Sequence, residues 1–208
     1  MLPILSLSFA LLIRGVPLSA AELIDVKTVD PTIEVELRYA GTNNLLRRAL
    51  YPADMPALLR PEVVARLIDA QSYLQVRGFR LKVWDAYRPK AAHDQLWALS
   101  QDNHYVASPA GGRGSLHTWG VAVDATLVSE SGKEATMPTD FDDFTPAAML
   151  RYMGADPNIR NNLHILQRAM GRAGFYGLRT EWWHFIAKDW QKYRAVSDTT
   201  SVSQSRPR

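Results

Sequence analysis

The sequence predicts an α+β fold, a small and mostly antiparallel sheet with helices packed on one side. Three observations carry this. Alternating apolar and polar runs mark half-buried strands, amphipathic stretches of 3.6-residue period mark helices, and the two kinds of segment follow one another in mixed order. A chain of 208 residues, 47% of them hydrophobic, holds enough apolar material for one core and is read as one domain spanning 22–196.

Residues 1–21 read as an export signal. Positions 2–13 are apolar apart from two serines, Pro17 ends the stretch, and Leu18-Ser-Ala-Ala21 supplies the small residues a signal peptidase needs. The pattern is atypical, because no Lys or Arg precedes the apolar run and Arg14 follows it. With Pro17, Arg14 also cuts the stretch below the length of about twenty apolar residues that a membrane anchor requires. At the other end, 197–208 is Ser/Thr-rich without an apolar pattern and is expected to be disordered.

Between these ends, Thr32–Tyr39 alternates as a strand should. A helix starts at Arg60 with Pro61 in its first turn, gathers Val63, Val64, Leu67, Ile68 and Leu74 on one side, and stops at Gly78. Phe79–Trp84 is a strand. Pro89 opens a helix to about Leu99 and holds the preceding Arg88 extended. The Ala110–Gly114 run lacks the Lys-Ser/Thr ending of a phosphate-binding loop and is read as backbone leading into a strand at Gly120–Val128. In that strand Ala122, Asp124 and Thr126 share the less apolar face, opposite Val121, Val123, Ala125 and Leu127. Residues 157–173 form an amphipathic helix ending at Gly174, and Phe175–Ile186 forms the last strand or strand pair.

Composition removes several functions. A net charge of +3 from scattered basic residues gives no nucleic-acid footprint. Zero cysteines exclude disulfide staples, thiolate metal ligands and a cysteine nucleophile.

The chemistry sits in Ser115-Leu-His117-Thr-Trp-Gly120-Val-Ala-Val-Asp124 and in Glu181-Trp-Trp-His184. His117, Asp124 and His184 supply the three ligands of a catalytic zinc site, which keeps a fourth position for water. Glu181 is then free to take that water's proton. In an unbroken strand, residues three apart point to opposite faces, so a turn, bulge or strand start near Glu181 is required. The same alternation sends one of Trp182 and Trp183 to the site and the other to the core. His93, His104 and His164 have no partner at ligand spacing and are read as surface or locally hydrogen-bonded.

These motifs resemble the D-alanyl-D-alanine dipeptidases of vancomycin resistance and peptidoglycan recycling, whose pattern is S-x-H-x-x-G-x-A-x-D followed by E-x-W-H. Ser115, His117, Gly120, Ala122 and Asp124 match the first half, and Glu181, Trp183 and His184 the second. The Tyr87-Arg88-Pro89 turn and the Arg38-Tyr39-Ala40 segment also match, so the resemblance covers roughly residues 23–190. It implies the fold of zinc D,D-peptidases and the hedgehog domain, one zinc ion per chain, and hydrolysis of D-Ala-D-Ala to D-alanine. It assigns oxyanion stabilisation to Arg88, which the turn alone equally allows to be a surface ion pair with Asp85.

For substrate binding the resemblance points to Tyr39, Ser115 and Asp142. Asp142 pairs with the substrate ammonium, with Asp140 and Asp143 as neighbouring alternatives. The expected partner is therefore a small dipeptide, with no nucleic acid and no stable membrane anchor. An export signal favours periplasmic recycling over a cytoplasmic resistance role. Two rival readings use the same zinc site: a D,D-carboxypeptidase or L,D-endopeptidase acting on peptidoglycan stems, and a non-catalytic zinc domain that binds a partner.

Overall fold

The computed structural model describes residues 23–100, 105–110 and 113–196. The expected export signal, the C-terminal tail and His104 lie outside the described residues. The elements in chain order are β1 (Ile24–Asp25), α1 (Val26–Val29), β2 (Glu34–Val35), β3 (Leu58–Leu59), α2 (Pro61–Gln75), β4 (Phe79–Asp85), α3 (Lys90–Ser100), β5 (Ala122–Ser129), α4 (Pro157–Arg172), β6 (Phe175–Leu178) and β7 (Glu181–Ala187). Short 3₁₀ turns at Arg38–Ala40 and Leu116–Trp119 carry site residues.

The main sheet has the order β2-β4-β5-β7-β6, antiparallel throughout except where β2 runs parallel to β4. A second, two-stranded sheet joins β1 to β3. The α+β architecture expected from the sequence is therefore present. Helices α2 and α4 pack on each other and on this sheet, α2 against β4 and α4 against β5 and β6. Their apolar stripes explain the packing: Val63, Val64, Leu67, Ala70 and Leu74 from α2 and Leu163, Leu166, Ala169 and Met170 from α4 are all buried. Each large aliphatic side chain so buried contributes roughly 1.5–3 kcal/mol.

Helix ends follow local chemistry. Pro61 and Glu62 occupy the first turn of α2, and Gly78 takes the left-handed backbone, φ 77°, that reverses the chain into β4. Asp156 caps α4 by accepting the Asn158 N–H at 2.8 Å, with Pro157 at its first position.

One expected strand is corrected. The run Thr32–Tyr39 forms only the two-residue β2, although Ile33, Leu37 and Tyr39 are buried as its alternation requires. The reason is where the backbone bonds go. Glu36 N–H still reaches the Val83 carbonyl at 2.9 Å, but the chain then enters the 3₁₀ turn, and the Tyr39 carbonyl accepts the N–H groups of Leu50 and Tyr51 at 2.7 and 2.9 Å. A loop replaces the neighbouring strand.

The strand break required near Glu181 is present. The β6–β7 register shifts between Gly177 and Leu178, placing Leu178 opposite Glu181 at the very start of β7. A second shift, between Val83 and Asp85 in β4, sets Asp85 opposite Asp124, while β7 sets His184 opposite it on the other side.

A buried glutamine ties helix to sheet. Gln71 of α2 has no exposed surface, accepts the Leu81 N–H at 2.7 Å and donates to Thr32 Oγ1 at 2.9 Å. Replacing Gln71 with Leu leaves the buried Leu81 N–H without its partner, while Thr32 Oγ1 keeps its bonds to Gln75 and Asp30, so the substitution should destabilise the protein by about 1–3 kcal/mol. Urea denaturation with an unchanged m-value and a lower midpoint is the expected outcome.

Candidate active site

The first metal-ligand candidate is aimed by a tight turn. Ser115 Oγ accepts the His117 N–H at 3.3 Å, Thr118 Oγ1 donates to the Ser115 carbonyl at 2.7 Å, and Gly120 closes the turn at φ 68°. Backbone at that angle is strained for any residue with a Cβ, which accounts for the glycine. Other parts of the chain grip the same turn: Arg88 N–H donates to the His117 carbonyl at 3.2 Å, Arg60 N–H to Gly120 at 3.1 Å and Val196 N–H to Thr118 at 3.0 Å. Arg60 Nε adds a bond to the Trp119 carbonyl at 3.0 Å.

The His117 ring is oriented by its Nδ1, 2.7 Å from the Ala86 carbonyl. A carbonyl can only accept, so Nδ1 carries the proton and Nε2 presents a lone pair. That lone pair lies 3.1 Å from His184 Nδ1 and 3.4 Å from Asp124 Oδ2, while His184 Nδ1 lies 2.8 Å from Asp124 Oδ1. One ligand atom from each residue falls within 4.8 Å of the others, and all three residues are buried. Burial alone would raise the Asp124 carboxyl, but His117 and His184 outweigh it and hold the group well below the ordinary carboxylate range. Three converging electron-pair donors around a buried negative charge suit a divalent cation; without one, two imidazole nitrogens face each other across a shared carboxylate.

Glu181 stands beside this cluster. Its Oε2 is 4.0 Å from His184 Nδ1, and burial pushes its pKa up to about 7. Arg88 reaches the same cavity from the turn after β4. Its Nε and Nη2 donate to Asp85 Oδ2 at 3.1 and 2.7 Å, and its guanidinium lies over the Tyr39 ring at 4.8 Å. Burial opposes the Arg88 charge, but Asp85 more than restores it. The Asp85 ion pair offered as one reading of Arg88 is thus present, yet it is buried and it points the guanidinium into the cavity. Tyr51 Oη donates to the other oxygen of Asp85 at 2.8 Å, a fully buried supporting carboxylate that the sequence presented only as a possible salt-bridge partner.

Asp142 closes the far side. It is a non-glycine residue at φ 57°, held there by the Tyr39 hydroxyl and the Leu45 N–H, which donate to Oδ2 at 2.9 and 3.0 Å. Burial raises its pKa to about 6 against the pull of those two bonds. Asp140 is exposed, and Asp140 and Asp143 line only an adjoining surface depression that Asp142 also borders, so Asp142 alone of the three acidic residues lines the cavity that holds the three-donor cluster.

All eight residues nominated from the sequence (Tyr39, Arg88, Ser115, His117, Asp124, Asp142, Glu181 and His184) line one cavity of about 220 Å³. Neither tryptophan does. Trp182 and Trp183 are both fully buried in an aromatic cluster with Trp84 and Phe141, where Trp182 Nε1 donates to Thr139 Oγ1 at 3.0 Å. Both faces of β7 are covered at this point, and the aromatic cluster takes both rings. His164 lies on the outer surface of α4. His93 is buried and bonded locally, with Nε2 2.9 Å from the Ala107 carbonyl and a pKa lowered to about 4, mainly by burial. Sequence reasoning missed Tyr105 and Phe144, which also line the cavity from loops without a motif.

The D-ala-D-ala dipeptidase family model matches residues 19–202. The D-alanyl-D-alanine dipeptidase of Escherichia coli K12 is 32% identical over 180 residues, spanning 86% of this chain and 92% of the relative. That of Enterococcus faecium is 28% identical over 150 residues, 62% of this chain and 72% of the relative. Among solved structures, the vancomycin-resistance D,D-pentapeptidase VanY in complex with Zn(II) is 14% identical, covers 66% of this chain and 77% of that one, and superposes with a TM-score of 0.44. Matched by the family model over nearly its whole length and aligned with the Escherichia coli enzyme across most of both sequences, the chain belongs to the D-ala-D-ala dipeptidase family.

Proposed function

We propose that this protein is a zinc-dependent peptidase that hydrolyses the free dipeptide D-Ala-D-Ala to two molecules of D-alanine. The observation that carries the reading is the convergence, in one small cavity, of a three-donor cluster, a separate carboxylate at Glu181 and a second separate carboxylate at Asp142. His117 Nε2, His184 Nδ1 and an Asp124 oxygen would hold the metal. When bound, zinc supplies Lewis acidity, which makes water nucleophilic near neutral pH and polarises a carbonyl.

The chain's own residues do the rest. Glu181 takes a proton from the attacking water and returns it to the leaving amine, a shuttle suited to a carboxylate whose pKa lies near neutrality. Arg88, fixed by Asp85, presents a permanent positive charge to the oxygen that becomes negative during attack. At the substrate's amino end, Asp142 receives the ammonium, with Tyr39 and Leu45 holding its carboxylate in place. Ser115, which both fixes the His117 turn and lines the cavity, serves the other end of the dipeptide.

Among the described residues no helix is long and apolar enough to cross a membrane. The apolar stretch at 1–21, read as an export signal, supports a periplasmic enzyme that recycles dipeptide released from the cell wall.

Two outcomes test the reading. Purified protein should carry about one zinc per chain, the stoichiometry of a single three-ligand site. Glu181→Ala should keep that zinc and lose turnover by at least about 10²-fold, whereas His117→Ala should lose the metal; a metal-free Glu181→Ala protein would move Glu181 into the ligand set.

The second outcome concerns substrate choice. N-acetylation of D-Ala-D-Ala removes the ammonium and strands the buried Asp142 carboxylate, at roughly 3–5 kcal/mol or at least a hundredfold in kcat/KM. Asp142→Ala should discriminate far less between the free and acetylated dipeptides. Equal cleavage of the free dipeptide and a stem pentapeptide by the wild type would favour a carboxypeptidase instead.

A further inference from the structure

The rim of the cavity carries two aromatic rings with no part in the chemistry described above. Tyr105, from the segment after α3, and Phe144, two residues beyond Asp142, stack face to face with centroids 4.5 Å apart and planes 16° from parallel. Both rings line the cavity and both are half-buried, whereas Tyr39, Asp142 and the metal-ligand candidates are buried. The pair therefore stands where the cavity meets solvent.

Each ring has a firm backing. Phe144 lies against the fully buried Trp183, centroids 6.2 Å apart, and its N–H donates to the Asp142 carbonyl at 3.1 Å, so the ring and the Asp142 carboxylate share one tight turn. Tyr105 precedes the buried Val106 and then Ala107, whose carbonyl is bonded to the buried His93 ring at 2.9 Å. That histidine stays neutral at physiological pH, because burial lowers its pKa to about 4.

We infer that the stacked Tyr105 and Phe144 rings form an aromatic wall beside Asp142 that excludes substrates carrying a substituent on the amino nitrogen, and so set the length of peptide accepted. The inference rests on the dipeptidase reading and deepens it. Phe144 shares the Asp142 turn and is held between the Tyr105 and Trp183 rings, so a group attached to the nitrogen of an amine seated at Asp142 would meet a ring that two others hold in place. Charge and bulk thus act separately. Asp142 demands an ammonium, and the wall demands that the ammonium carry nothing larger than hydrogen.

N-propyl-D-Ala-D-Ala separates the two, because its secondary amine keeps the positive charge and adds only bulk. The experiment measures kcat/KM for D-Ala-D-Ala and for the N-propyl dipeptide in zinc-loaded wild type, Tyr105→Ala, Phe144→Ala and Tyr105→Phe. Wild type should reject the N-propyl substrate. Tyr105→Ala and Phe144→Ala should each raise its kcat/KM relative to the free dipeptide by roughly tenfold or more, the scale of one pocket contact, while Tyr105→Phe keeps the stack and the wild-type ratio.

Phe144 touches the core and its variant is the one at risk of misfolding; Tyr105 sits at the rim, so a Tyr105→Ala protein with the wild-type melting temperature decides the matter alone. Wild type that cleaves both dipeptides equally, or alanine variants whose ratio stays at the wild-type value, would overturn the wall while leaving the dipeptidase reading intact. Zinc-loaded wild type without activity on D-Ala-D-Ala would overturn that reading, and the wall with it.

Discussion

A carboxylate in the middle of a sheet has to be neutralised, and the compensation of Asp124 organises the cavity around it. Asp124 sits on β5, the strand paired on both edges, with His184 opposite on β7 and the His117 ring brought in from the turn before the strand. An isolated buried charge is costly, and a buried charge with one partner removed is strongly destabilising. Two imidazoles flank it, and in the proposed site a cation would complete the compensation. The geometry of that arrangement is set from outside the cluster, by the Ala86 carbonyl on His117 Nδ1 and by the bonds from Arg60, Arg88 and Val196 that fix the turn.

The same logic of supported charge repeats away from the metal cluster. Asp85 is fully buried and acts through others: it takes two donors from Arg88 and one from Tyr51, which converts a flexible cation into a fixed one. Asp142 is held at a strained backbone angle by Tyr39 and Leu45. Burial raises the pKa of Glu181 and of Asp142, whereas the two histidines depress that of Asp124. One cavity therefore holds a carboxylate committed to its ionised form beside a carboxylate able to exchange a proton near neutral pH, as the proposed division between metal binding and base catalysis requires.

Much of this was legible in the sequence because the relevant signals are local. His117, Gly120 and Asp124 belong to one turn-and-strand segment whose spacing reports its geometry. The three-residue gap between Glu181 and His184 demanded a turn, a bulge or a strand start, and β7 begins there. The helices at Pro61–Gln75 and Pro157–Arg172 followed from their apolar stripes and end residues. What escaped depends on long-range contacts. The alternation of Thr32–Tyr39 records burial but not whether a strand or a loop receives the backbone bonds, and the tryptophan pair at 182–183 records hydrophobicity but not the Trp84–Phe141 cluster that takes both rings. Tyr105 and Phe144 meet only in the folded chain, so no spacing could announce their stack.

The central claim is that His117, Asp124 and His184 hold the metal while Glu181 stays outside its coordination shell. X-ray absorption at the zinc edge of the loaded protein tests it most directly. The account expects a shell of nitrogen and oxygen scatterers at about 2.0–2.1 Å with the multiple-scattering signature of two imidazoles, unchanged in Glu181→Ala. A spectrum with no imidazole signature, or one that loses an oxygen ligand in Glu181→Ala, would contradict it.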